Sequence, residues 1–269
     1  MGRRPPRGPR RNVRVLSDPT AHGALPSDPT SNLEIPEVAL AIGAHPDDVD
    51  FGCGGTLAKW AAAGCRVHYL VCTDGSKGSW DPGQDPQELI RTRQEEQRQA
   101  SRALGGEGRV TFLGRIDGEL DSGMEMRRLV AYEIRRVRPT VVLGHDPWKR
   151  YRLHPDHRHA GFLTTDAIVA ARDPHFFPEQ DAPPHRPSAL LLWEADSPDH
   201  LEDITGFDET KLRALMSHRS QLRSTMGISD SADAAAAEAF RQRLRSRQAA
   251  AGAPLGLTAA EAFKLLIDL

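Results

Sequence analysis

Apolar residues in this chain fall into short unbroken runs separated by longer stretches of helical spacing. Residues 38–44 form a continuous apolar run, which suits a strand buried on both faces. Comparable runs follow at 66–72, 110–113, 141–144 and 189–193. Between them the spacing predicts helices over 54–63, closed by Gly64, and over 86–104, stopped by Gly105-Gly106. Two more are predicted over 124–137, with Pro139 at the exit, and over 156–171. Alternating strand and helix predicts an α/β class: a mostly parallel sheet with helices on both faces. Beyond the fifth strand, helices are predicted over 208–222 and 229–251, and the apolar pattern of 258–269 predicts a last helix docked on the core.

Composition changes the picture mainly at the N-terminus. Residues 1–33 hold six arginines (Arg3, Arg4, Arg7, Arg10, Arg11 and Arg14) among prolines and glycines, the composition of a solvated, disordered tail. Residues 34–269 are expected to form one domain, with 223–269 as a helical extension of it. The net charge of −2 points to no polyanionic partner, so no nucleic acid is expected. No apolar run is long enough for a membrane-spanning helix, and no apolar stretch follows the basic start as a secretory signal requires. Three cysteines, Cys53, Cys65 and Cys72, are too few for a disulfide framework. They read as buried reduced thiols, and a cytoplasmic protein is expected.

The chemistry gathers in two segments. The first predicted strand runs into His45-Pro46-Asp47-Asp48, and the fourth is followed by His154-Pro155-Asp156-His157. In an open α/β sheet, ligands bind beyond the carboxyl ends of strands, where strand order reverses. If the order is 3-2-1-4-5, both segments face one crevice. His45 and Asp48 are three apart, as are His154 and His157, so each pair can turn toward one point at a helix opening. Two imidazoles and one carboxylate make a catalytic zinc site, in which the metal lowers the pKa of its water to about 7. Asp47, Asp156 and the remaining histidine suit proton transfer and orientation of the ligands. This spacing leaves open which histidine of the second segment is the ligand.

Several stretches carry a resemblance: AIGAHPDDVDFGCGGTLAKW, VCTDGSKG, Arg93-x-x-Glu96, VTFLGRIDGEL, RPTVVLGHDP and HPDHRHAG, with fainter echoes in HRSQ and EAF. Together they resemble the zinc-dependent de-N-acetylases of the LmbE-like and PIG-L type. Val49-Asp50 stand where that family often has glutamate. The resemblance implies a Rossmann-like, three-layer fold and zinc bound by His45, Asp48 and His157. It implies Asp47 as general base, and His154 as oxyanion stabiliser oriented by Asp156. Arg93 and Asp117 fall where the family contacts its sugar. The implied substrate is a small N-acetylated amino sugar, an N-acetylglucosamine-type conjugate, losing acetate by amide hydrolysis.

Three other classes fit less well. Gly52, Gly54 and Gly55 lack the G-x-G-x-x-G spacing of a dinucleotide site, and the acidic run before them repels a pyrophosphate. A two-metal phosphoesterase needs bridging carboxylates beyond this one-metal set. A non-catalytic metal or sugar binder has no use for Asp47 and His154.

Overall fold

The computed structural model describes residues 29–230 and 232–269. Of the tail expected over 1–33, residues 1–28 lie outside them, whereas Thr30–Ser31 form a strand instead of a solvated coil. The strands are β1 (Thr30–Ser31), β2 (Val38–Gly43), β3 (Arg66–Thr73), β4 (Val110–Arg115), β5 (Val141–His145), β6 (Ala189–Trp193), β7 (His200–Asp203) and β8 (Ala260–Ile267). The helices are α1 (Asp48–Ala62), α2 (Pro86–Ala103), α3 (Met124–Val137), α4 (Pro155–Arg172), α5 (Asp208–Leu215) and α6 (Ala234–Gly252). The strands make one sheet in the order β1-β7-β8-β6-β5-β2-β3-β4, parallel except at β8. The order of strands across the sheet reverses between β2 and β5, which are parallel neighbours, so the crevice outside their carboxyl ends is the switch point. The assumed order of the five predicted strands is the one observed.

Period-two alternation divides the core between the two faces of the sheet. Ala39, Ala41, Val67, Tyr69, Leu143 and Leu191 pack against α1 and the end of α2. Their neighbours Leu40, Ile42, Leu70, Val142, Leu190 and Leu192 pack against α3 and α4. A third cluster joins α5 to α6 through Leu212, Leu215, Met226, Phe240 and Leu244, with Phe51 of α1 against it.

Three sequence expectations are corrected here. Residues 260–267 form a strand, not a helix, pairing antiparallel with both β6 and β7. Ala-Glu-Ala-Phe-Lys-Leu-Leu is rich in good helix formers, but the gap between two strands takes an apolar run in extended form, and tertiary pairing overrides propensity. The short strands β1 and β7 pair with each other and were not expected. The first helix begins at Asp48, six residues before its expected start at Gly54. Its glycines permit close packing rather than phosphate binding. A Cβ at Gly52 would lie 2.5 Å from the Trp193 ring, and one at Gly55 2.7 Å from Ile204.

Helix α1 is broken at Cys53 (φ −146°), and a residue far along the chain caps its second half. Glu261 of β8 accepts from Gly55 N (2.9 Å), Thr56 N (2.8 Å), Thr56 Oγ1 (2.6 Å) and Lys211 Nζ (2.6 Å). A carboxylate at a helix start satisfies free N–H groups and the helix dipole together. Glu261→Ala should destabilise the protein by about 3–5 kcal/mol, because it strands the buried Lys211 ammonium and the helix start. Thermal unfolding against wild type measures this; an unchanged Tm would show that the cap is dispensable.

Candidate metal centre and active site

Both chemical segments lie at the carboxyl ends of β2 and β5, at the switch point. The turn after β2 is tight: His45 N donates to Asp48 Oδ2 at 2.7 Å and Asp48 N to the His45 carbonyl at 3.3 Å. Asp47 sits inside it at φ 107°, a left-handed conformation that is strained for a residue with a Cβ. Such strain costs about 1–3 kcal/mol and persists only where surrounding contacts hold it. The second segment opens α4, with Pro155 in its first turn.

Three side chains converge. His45 Nδ1 lies 3.3 Å from Asp48 Oδ2 and 3.2 Å from His157 Nε2, and His157 Nε2 lies 3.2 Å from Asp48 Oδ1. Ligands at about 2.0–2.1 Å from a tetrahedral zinc are separated by about 3.3–3.4 Å along each edge. The two imidazole nitrogens and the Asp48 carboxylate therefore stand at separations that suit a zinc ion, with a different carboxylate oxygen facing each imidazole. The chemistry also fits: two imidazoles and one carboxylate leave a position open for water or substrate.

Outer partners surround each ligand. His45 Nε2 faces Asp156 Oδ2 (3.1 Å) and Asp117 Oδ1 (3.2 Å), which leaves Nδ1 for the cation. His145, at the end of β5, is fully buried. Its Nδ1 accepts from Trp193 Nε1 at 2.9 Å, so Nε2 carries the proton and lies 3.2 Å from Asp48 Oδ2, off the line of a good hydrogen bond. Arg152 Nη1 stands 2.8 Å from His157 Nδ1, and Arg152 also pairs with Glu194; when Nε2 holds a cation the ring proton is on Nδ1, so the contact with His157 belongs to the metal-free protein.

Electrostatics follows from this crowding. Burial opposes a charged His45, yet Asp117, Asp156 and Asp48 hold its pKa well above the ordinary value. Burial likewise opposes an ionised Asp48, but His157 and His145 outweigh it and keep the carboxyl well below its usual range. Asp47 goes the other way: burial pushes it up to about 6, only partly offset by Arg93. Burial, together with His45 and His157, lowers His154, so the free protein carries it as a neutral imidazole at pH 7.

The site residues expected from the sequence all lie near this point, some with unexpected partners. Asp156 is fully buried and accepts from Gly118 N (2.6 Å), Leu120 N (3.3 Å) and His45, not from His154. His154 is exposed, its ring packed on His45 and His157 at 4.5 and 4.8 Å. Arg93 and Asp117 are nearly buried and both hold the loop after β3: Arg93 Nη1 donates to the Gly75 carbonyl (2.8 Å), and Lys77 N to Asp117 Oδ2 (3.2 Å). Sequence reasoning missed His145, Arg152, Gln97 and His218. For His145 the signal was its position at the carboxyl end of a central strand.

A one-cation pocket at the switch point, with a raised-pKa carboxylate beside it, defines the class of a metal-assisted hydrolase. Comparison with known proteins makes this specific. Residues 40–168 match the PIG-L family, described as GlcNAc-PI de-N-acetylase, and the chain belongs to that family of amide-cleaving hydrolases. A diacetylchitobiose deacetylase of Thermococcus kodakarensis is 39% identical over 185 residues, covering 68% of this chain and 69% of that protein. A 1D-myo-inositol 2-acetamido-2-deoxy-alpha-D-glucopyranoside deacetylase of Streptomyces avermitilis is 33% identical over 169 residues. That match takes in 54% of this chain and 57% of the relative, so the chain spans little more than half of it. Among solved structures, the N,N'-diacetylchitobiose deacetylase from Pyrococcus horikoshii, complexed with its inhibitor MPG, superposes with a TM-score of 0.77 at 30% identity. The superposition covers 86% of this chain and 84% of that one.

Proposed function

We propose that this protein removes acetate from the amide nitrogen of an N-acetylglucosamine-type conjugate, with zinc held by His45, Asp48 and His157. The observation that carries the reading is the convergence of His45, Asp48 and His157 next to a separate carboxylate, Asp47. When bound there, zinc acts as a Lewis acid toward the acetyl carbonyl and lowers the pKa of water. Asp47 takes the proton of the attacking water. Its pKa of about 6 leaves it ionised at neutral pH, yet basic enough to hold that proton and pass it to the leaving amine. That second transfer matters because an amine leaves an amide only once protonated. His154 donates an N–H to the carbonyl oxygen as charge builds there, and the developing charge favours proton uptake by the imidazole. Asp156 holds the His45 ring in the tautomer that presents Nδ1.

The sugar is proposed to lie against the wall formed by Arg93, Asp117 and the loop they hold. Contact of these two side chains with ring hydroxyls rests on the family resemblance, since in the free structure both face protein partners. Among the described residues no helix is long and apolar enough to cross a membrane. All three cysteines are free and buried, which fits a reducing compartment such as the cytoplasm.

The test is acetate release from diacetylchitobiose and from N-acetylglucosamine glycosides. N-acetyl amino acids and phosphate esters serve as controls. Turnover confined to the acetamido sugars is expected, because a site that hydrogen-bonds hydroxyls rejects analogues lacking them by about 10⁴-fold or more. Phosphate release, or cleavage only of N-acetyl amino acids, would overturn the assignment.

A further inference from the structure

Helix α2 carries Arg93 and Gln97 four residues apart, on one face. Between them they hold both polar atoms of a single peptide unit, the one joining Pro46 to Asp47. Arg93 Nη2 donates to the Pro46 carbonyl at 2.7 Å, and Asp47 N donates to Gln97 Oε1 at 2.8 Å. This unit leads directly into the left-handed Asp47. The Gln97 amide has one orientation available: its oxygen must face the Asp47 N–H, so its nitrogen faces Asp50. Nε2 donates to Asp50 Oδ2 at 2.8 Å, and His218 Nε2 reaches the same oxygen at 2.8 Å. Gln97, Asp50 and His218 are fully buried. None of them belongs to the group of atoms that converges on the metal position. A buried acid, amide and imidazole are costly to desolvate, and here their hydrogen bonds end on the backbone of one residue.

We propose that Gln97, oriented by Asp50 and His218, is a positioning residue for the Asp47 carboxylate. The proposal rests on the reading of Asp47 as general base. The φ angle of Asp47 is set between two constraints, this held peptide unit on one side and the Asp48 N–H bound to the His45 carbonyl on the other, and Gln97 supplies part of the first. Asp48 has its own anchors in His45 N, His145 and His157, so the metal position does not depend on Gln97.

The experiment compares zinc-loaded variants on diacetylchitobiose. Gln97→Leu keeps the bulk and removes both hydrogen bonds. It should lower kcat by about 10–100-fold, the usual effect of a misplacement near 1 Å, with KM and zinc content unchanged. In its crystal structure Asp47 should leave the left-handed region. Gln97→Glu should be similarly slow, because it sets a second carboxylate against Asp50. Adding Asp50→Asn can place an amide nitrogen where Oδ2 stood, with one hydrogen for the new carboxylate and one for His218 Nε2, which then accepts, so the paired variant should regain most of the lost kcat. Combined with Asp47→Asn, the Gln97→Leu change should cost nothing further. Near-normal kcat in Gln97→Leu, an unmoved Asp47, lost zinc, absence of rescue, or multiplicative losses in the combined variant would each overturn the proposal. Failure of the base reading shows separately, as wild-type turnover by Asp47→Asn alone.

Discussion

Asp47→Asn should lower kcat by about 10²–10⁴-fold, the range a positioned general base contributes, while bound zinc and the fold stay as they are. The substitution is nearly isosteric. It keeps the backbone hydrogen bond to Gln97 and lies outside the group His45, Asp48 and His157 that suits the cation. What it removes is the capacity to take a proton. The wild-type pH profile carries the same signature. Burial holds the Asp47 carboxyl near 6, with Arg93 pulling it partly back. Only the carboxylate form accepts a proton, so kcat/KM should be level above about pH 6 and fall about tenfold per unit below it. The variant's residual activity should lack that limb. Turnover by Asp47→Asn within a few-fold of wild type would place the base elsewhere.

His45→Ala, Asp48→Ala and His157→Ala should each abolish tight zinc binding, and activity with it, as should a chelator. Elemental analysis of the purified variants is the direct check. Their losses should exceed the roughly 10–100-fold in metal affinity that outer partners contribute, so Asp156→Asn and His145→Ala should rank below them. Full occupancy in all three ligand variants would refute the ligand set. Uptake should also depend on pH with a defined sign. Carboxylates hold a proton on His45, whose pKa lies well above the ordinary value. A cation must displace the proton at the atom it binds. Affinity should therefore fall as pH falls, and loading should release protons into an unbuffered solution.

Much of the fold was legible because buried strands leave unbroken apolar runs and helices between them leave a 3.6-residue period. Both signals are local, and the position of His45-Pro46-Asp47-Asp48 after one run and His154-Pro155-Asp156-His157 after another put both at strand ends. The closing segment misled because Ala-Glu-Ala-Phe-Lys-Leu-Leu favours a helix locally, and only the gap between β6 and β7 selects the extended form. The early start of α1 was hidden for a related reason: its glycines look like breakers until Trp193 and Ile204 are seen pressed against them.

From the sequence alone came the α/β class, the strand alternation and the residues on which the metal reading rests, since these depend on type and spacing along a few neighbouring positions. The tertiary structure decided which partners those residues have. Asp156 turns to His45 instead of His154, His145 and Arg152 stand behind the ligands, and Gln97, Asp50 and His218 hold the strained peptide before Asp47. Hydrogen bonds between residues 50 to 168 positions apart leave no periodic trace in the chain. They exist only because packing the helices on the sheet brings those side chains within about 3 Å of one another.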